Sequence, residues 1–203
     1  MHLLLFRSAK FTFMLLLCLM LPLMLEIDIV LGLWLKQVPE YTNIFVCLML
    51  CISMIDAVSN PFMTASAATG RVKKYQSVVG GILLSIVPIA YIVLKLGAEP
   101  YAVFIVDFCI VIAAFIARIS IIRKMIKLSV REYIYKAIMP CTYVAFPSII
   151  MSLLTKWLLP NGFAYAIVVI LLTFFFVASF SILFGLSRNE RNFFFQKKIQ
   201  FLR

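Results

Sequence analysis

Six long apolar segments, separated by short connections, are the feature that most limits how this chain can fold. A helix needs about 20 predominantly apolar residues to cross the ~30 Å hydrocarbon core of a bilayer. Hydrophobic residues make up 65% of the 203-residue chain, a larger share than soluble domains have. The sequence therefore predicts an all-α fold, in which residues 1–203 form a single polytopic membrane helix bundle. We place its six spans at about 11–33, 42–67, 76–96, 101–122, 138–159 and 163–186.

The basic residues lie in clusters between the apolar segments, and their distribution predicts the orientation. Connections on the cytoplasmic side of a membrane protein carry an excess of Lys and Arg. All but three of the 19 Lys and Arg residues lie at one end of the predicted spans, and the exceptions are Lys36, Lys95 and Lys156. We therefore expect both termini to be cytoplasmic, with 187–203 as a basic cytoplasmic tail. A net charge of +11 arranged in this way indicates a membrane topology and gives no reason to expect a nucleic-acid partner.

The connection between the fourth and fifth segments, 118–136, is basic and partly amphipathic. Its apolar residues at 121/122, 125/126 and 133/134 recur at near-helical spacing. Amphipathic basic helices commonly lie in the plane of the membrane interface. We therefore expect this stretch to lie along the membrane surface.

The second apolar segment carries polar side chains in its middle. On a helix, four of them share one face: Ser53, Asp56, Asn60 and Thr64. A carboxylate at membrane depth costs about 2.5–3.5 kcal/mol on insertion scales, so it normally faces protein or water. Pro61 follows and removes a backbone hydrogen bond. Two interpretations stay open: a hydrogen-bonded patch that holds helices together, or the wall of a transport pathway.

Asp56 and Asp107 are the carboxylates that lie deep in the predicted spans. Together they could form an ion or proton site, if their helices are neighbours. Asp107 is also close enough to the outer end of its span to extend towards water instead.

The sequence gives no support for two kinds of enzyme chemistry, hydrolysis at a histidine-based site and hydrolysis of a nucleotide. His2 is the single histidine, so neither a serine–histidine pair nor a histidine-based metal site can be built. The sequence has no Gly-rich phosphate loop of the Walker type. The five cysteines lie in or beside apolar segments and are interpreted as packing residues. We therefore expect no enzymatic activity, no metal and no cofactor.

Two stretches resemble parts of a known family. PLMLEIDIVLGLWLKQVPEYTNIF (22–45) and NPFMTASAATGRVKKYQ (60–76) are similar to consecutive helical segments in the C-terminal lobe of bacterial polysaccharide flippases. These proteins are members of the multidrug/oligosaccharidyl-lipid/polysaccharide exporter superfamily, and the resemblance covers roughly 10–203. It implies a carrier in the bacterial inner membrane that translocates a polyprenyl-pyrophosphate-linked oligosaccharide in lipopolysaccharide or polysaccharide biosynthesis. Such carriers have two six-helix lobes, so we expect this chain to be the C-terminal part of one.

The resemblance also implies partners and site residues. The partners are the lipid bilayer, the lipid-linked oligosaccharide, and an N-terminal lobe or another copy of this chain. The face of Ser53, Asp56, Asn60 and Thr64 would line the sugar pathway. The bases nearest to it on the cytoplasmic side would contact the pyrophosphate, unless they serve only to set the topology; they are Arg71, Lys73, Lys74 and Arg118.

Two other functions remain open from the sequence. An ion-coupled exporter of small molecules from the same superfamily would show a cation dependence through Asp56. A membrane scaffold without transport activity, or an inactive remnant of a carrier, would show no such cation dependence.

Overall fold

A computed structural model of the chain describes residues 2–35, 37–70, 72–160 and 162–186. The predicted tail, 187–203, lies outside the described residues. Within the described ranges every regular element is helical. Six helical segments are long and apolar enough to cross a membrane: Leu3–Leu25, Thr42–Ala68, Val72–Lys95, Ala102–Ile126, Val130–Leu158 and Phe163–Gly185. The predicted all-α, multi-pass membrane bundle is therefore confirmed.

Several of these spans consist of more than one helix. The helices, in chain order, are α1 (His2–Leu25), α2 (Ile27–Trp34), α3 (Thr42–Ala68), α4 (Val72–Leu84), α5 (Ile86–Lys95), α6 (Ala102–Ile126), α7 (Val130–Tyr133), α8 (Met139–Leu158) and α9 (Phe163–Phe180). Two wider π-helical turns complete the fifth and sixth spans, Ile134–Ile138 and Ser181–Gly185.

The third span is interrupted because of a proline. In a continuous helix, the N–H of residue 88 would donate to the carbonyl of Leu84, but Pro88 has no N–H. Accordingly, α4 ends at Leu84 and the helix resumes as α5 at Ile86. Pro61 and Pro147, in contrast, lie inside helices that continue past them.

The first span begins earlier than the predicted residue 11. Arg7 and Lys10 lie inside α1 instead of preceding it. The helix begins early because Leu5, Phe6 and Ala9 are buried in the core at this end of the bundle. Packing against neighbouring helices therefore extends α1 beyond the apolar run that hydropathy detects.

The prediction of a surface helix over 118–136 is wrong. Residues up to Ile126 continue α6, a short turn follows, and the fifth span begins at Val130. Two of the apolar residues in this stretch face the core, since Ile122 and Tyr133 are fully buried, whereas Ile134 is exposed. The ring of Tyr133 lies 5.0 Å from that of Phe62 on α3. The near-helical spacing therefore marks the inner faces of two spans.

The helices are arranged in a row with α1 near the middle. α1 contacts α3 on one side and the α8–α9 pair on the other, and it is the most buried of the six spans. α3 packs on α6, and α4 and α5 pack on α6 at the edge of the row. Three ring pairs occur in the same order along α3 and α6, so the two helices run parallel; the pairs are Tyr41–Tyr101 (5.7 Å), Phe45–Phe104 (4.9 Å) and Phe62–Phe115 (6.1 Å).

Candidate functional site

An ion pair joins the polar middle of α3 to α6. The Nη1 of Arg118 lies 2.9 Å from the Oδ1 of Asp56, and the same nitrogen donates a hydrogen bond to the hydroxyl of Ser59. That hydroxyl in turn donates to the backbone carbonyl of Asp56, at 2.8 Å. Two side chains and one backbone carbonyl of α3 are thus connected to one guanidinium group on α6.

The direction of helical side chains explains how Arg118 reaches this position. Side chains on an α-helix tilt towards its N-terminus. Arg118 lies near the C-terminal end of α6, so its long side chain extends back towards the middle of the bundle, where Asp56 lies on the parallel helix α3. Arg118 is one of the four bases predicted to contact the pyrophosphate, and its guanidinium lies between α6 and α3.

The two partners differ in exposure. The side chain of Arg118 is 14% exposed, whereas that of Asp56 is 44% exposed. A charge away from water is tolerated when it is paired and its remaining hydrogen bonds are satisfied. One oxygen of the Asp56 carboxylate therefore links α3 to α6 through Arg118. The rest of the side chain is partly exposed on the outside of the bundle.

The other three residues of the predicted pathway lie on the outside of the bundle. Ser53, Asn60 and Thr64 are exposed, and with Asp56 they form what we call the α3 polar face. The hydroxyl of Ser53 donates to the carbonyl of Met49 at 2.8 Å, and that of Thr64 donates to the carbonyl of Asn60 at 3.4 Å. Each hydroxyl thus satisfies its own hydrogen in the helix and keeps its lone pairs available. In the part of the chain that the structure describes, no helix covers this face.

Asp107 lies on α6 and is partly buried. It makes no hydrogen bond or ion pair with a described residue, and it is near enough to Asp56 for the two carboxylates to interact electrostatically. The structure therefore brings the two predicted carboxylates into one region, with Arg118 paired to only one of them.

The predicted phosphate-binding bases that the structure describes do not form one group. Arg71 lies outside the described residues. Lys73 and Lys74 line an open cavity of about 710 Å³ between α4 and α6, together with Lys124. Arg118 does not line that cavity. The contribution of Lys124 was not predicted, because the sequence does not reveal that α4 and α6 are neighbours.

A second polar contact joins two connections at the opposite end of the bundle. Tyr41, which precedes α3 with a positive φ of 65°, has its ring 5.7 Å from that of Tyr101, tilted by 48°. A hydrogen bond with Glu99, followed by the charges of Glu40 and Glu99, raises the pKa of Tyr41 to about 12. This contact lies where α3 and α6 begin, and sequence patterns gave no signal for it.

Among the described residues, no group of three or more His, Cys, Asp or Glu side chains is placed to hold a metal ion. No family model, no curated protein and no solved structure matches this chain. Inferences about its activity therefore begin from the arrangement of its own residues.

Proposed function

We propose that this chain is one lobe of a membrane carrier that translocates a polyprenyl-pyrophosphate-linked oligosaccharide. The observation that carries this proposal is the exposure of the α3 polar face on the outside of a membrane-spanning bundle. Unpaired polar groups are unfavourable next to lipid, so such a face calls for a protein or aqueous neighbour. In a carrier of two bundles that rock against each other, the site lies between the bundles.

The chemistry of the face fits sugars. It presents two hydroxyls, one carboxamide and one carboxylate, and all of them can bond to sugar hydroxyls. From Ser53 to Thr64 the face extends roughly 16 Å along the helix axis, about half of the hydrocarbon thickness. The lipid tail of such a substrate can stay in the bilayer while its headgroup follows the wall.

The ion pair between Arg118 and Asp56 supports the same function, because it reduces the net charge of the α3 polar face. Arg118 neutralises Asp56, so the wall carries hydrogen-bonding groups without a net charge from this pair. A wall of this kind binds neutral sugars without trapping cations. The pair also fixes α3 on α6, which keeps the face rigid while a partner lobe moves.

We also propose a cellular setting from the distribution of charge and from the resemblance to polysaccharide flippases. The chain would lie in a bacterial inner membrane with both termini cytoplasmic, and it would serve lipopolysaccharide or polysaccharide biosynthesis. The proposed partner is an N-terminal lobe, or a second copy of this chain.

One observation favours a second candidate, an ion-coupled exporter of small molecules. Asp107 has no partner among the described residues and lies within electrostatic reach of Asp56. A proton or cation could exchange at Asp107 while Arg118 holds Asp56. Under this alternative, Asp107→Asn would abolish the dependence of transport on the ion gradient.

The test of the proposed function is complementation of a flippase-deficient strain. Residues 1–203 are expressed alone, or together with the N-terminal lobe of a polysaccharide flippase as a separate polypeptide. We expect surface polysaccharide to return only with both lobes, and the double variant Asn60→Leu/Thr64→Val to reduce it at least tenfold.

Thr142→Val is the matched control, because Thr142 is also an exposed threonine whose hydroxyl donates to its own helix. It should leave the polysaccharide level unchanged. Equal activity of the Asn60/Thr64 variant and the unmodified chain would overturn the proposal. Restoration by residues 1–203 alone would contradict the need for a different second lobe.

A further inference from the structure

A basic cavity lies between α4 and α6, away from the α3 polar face. Its volume is about 710 Å³. No acidic side chain is among the described residues that line it. Its polar lining consists of three lysines and two serines: Lys73, Lys74, Lys124, Ser77 and Ser120.

The cavity lies at the N-terminal end of α4, and this position favours the binding of an anion. Lys73 and Lys74 lie in the first turn of α4, where the backbone N–H groups and the helix dipole also favour negative charge. Lys124 lies in the last turn of α6, next to them. The three ammonium groups donate hydrogen bonds and the hydroxyl of Ser77 can do so too, whereas that of Ser120 already donates to the carbonyl of Ile116 at 2.9 Å. The lysines and Ser77 therefore fit the oxygens of a phosphate.

The rest of the lining is apolar, which a free phosphate would not need. Ile121 and Met125 form this part of the wall. α4 begins at the lysines and runs into the membrane from there, so Gly81 lies one turn deeper than Ser77. A Cβ placed on Gly80 or Gly81 would meet nothing within 4 Å. The two glycines do not line the cavity itself, but because they carry no side chain and nothing lies over them, they leave a shallow open furrow on α4 next to it.

We propose that this cavity binds an anionic membrane phospholipid, with its phosphate between the three lysines and an acyl chain along the furrow at Gly80 and Gly81. Basic pockets between membrane helices at the headgroup level are suited to such lipids. The site is separate from the α3 polar face, and it requires only that the chain spans a membrane. A bound lipid would connect α4, at the edge of the helix row, to α6.

The test is native mass spectrometry of the purified full chain in detergent with added phosphatidylglycerol. Diacylglycerol with the same acyl chains serves as the phosphate-free comparison. We expect one phosphatidylglycerol to remain bound per chain, and diacylglycerol to be lost. The variant Lys73→Gln/Lys74→Gln/Lys124→Gln should lower the bound fraction at least tenfold.

The matched control removes three positive charges from the same end of the bundle without touching the cavity. It is Arg123→Gln/Lys127→Gln/Arg131→Gln, and we expect lipid binding within twofold of the unmodified chain. An equal loss in both triple variants would show general attraction between charges and would overturn the site. Unchanged binding in the lysine variant would overturn it as well.

A further variant separates the lipid from a free phosphate. Gly81→Leu fills the furrow and leaves the lysines in place, so it should lower retention of phosphatidylglycerol at least fivefold. Added inorganic phosphate at millimolar concentration should not displace the lipid from the unmodified chain. Full retention in Gly81→Leu, together with displacement by inorganic phosphate, would show a site for soluble phosphate and would contradict the proposal.

Discussion

The guanidinium of Arg118 lies 2.9 Å from the carboxylate of Asp56, although the two residues are 62 positions apart in the sequence. This ion pair joins α6 to α3 beside the α3 polar face. It accounts for the presence of an arginine inside a membrane segment. Part of Asp56 also stays exposed, on the same face of α3 as the hydroxyls of Ser53 and Thr64 and the carboxamide of Asn60.

Removing one partner of the Asp56–Arg118 pair should destabilise the bundle. Arg118→Leu leaves Asp56 without its counter-charge, and because that carboxylate is 44% exposed the cost should be about 1–2 kcal/mol, less than for a fully buried pair. The double variant Asp56→Leu/Arg118→Leu should be more stable than Arg118→Leu alone. Thermal unfolding in detergent measures both. Lys136→Gln, which breaks the exposed pair of Lys136 with Glu132, should change stability by less than about 0.5 kcal/mol.

Phe62 should be the most sensitive apolar position at the basic end of the bundle. Its side chain is fully buried, and its ring lies 5.0 Å from Tyr133 and 6.1 Å from Phe115. Phe62→Ala removes contacts with two other spans and should cost about 3–5 kcal/mol. Phe146→Ala removes a ring that is 70% exposed, and it should unfold at nearly the temperature of the unmodified chain. Similar losses in both variants would mean that Phe62 is not a core residue.

Gly185 should tolerate no side chain without a rearrangement. A Cβ at this position would collide with the end of Met14 and would lie 3.3 Å from Cγ2 of Val144. The colliding atoms are the flexible end of Met14, which can shift, so Gly185→Ala should lower stability by only about 1 kcal/mol, and Met14→Ala in the same chain should relieve part of that loss. Gly32→Ala is the control, because a Cβ there would meet nothing within 4 Å. A neutral Gly185→Ala would contradict the close packing of the last span on α1.

The hydrogen bond between Tyr41 and Glu99 predicts a pH dependence. Because the pKa of Tyr41 is raised to about 12 from an ordinary value of 10.0, the bond stabilises the folded chain fully below pH 10. That contribution is lost as the pH rises from about 10 to about 12. Glu99→Gln should move the tyrosinate absorbance of Tyr41, identified by its loss in Tyr41→Phe, towards lower pH. An unchanged titration would mean that the two side chains are not bonded.

The number and helical character of the spans could be predicted because hydropathy is a local property of the sequence. The pairing of Asp56 with Arg118 could not be predicted, since helix neighbours in lipid are chosen by close packing and not by hydropathy. For the same reason, residues 118–136 suggested a surface helix, whereas Ile122 and Tyr133 lie in the core. Helical periodicity placed Ser53, Asn60 and Thr64 on one face, and the structure adds that this face is exposed.

The central claim is that the α3 polar face lines an aqueous pathway between lobes, and thiol labelling tests it most directly. The five native cysteines are replaced by alanine, and a single cysteine is introduced at Asn60 or, as a lipid-facing control, at the 72% exposed Leu84. Both chains are expressed with the N-terminal lobe of a polysaccharide flippase and treated in membranes with a charged, water-soluble thiol reagent. The account predicts that Asn60→Cys reacts at least tenfold faster than Leu84→Cys. Equal protection of the two cysteines would contradict it.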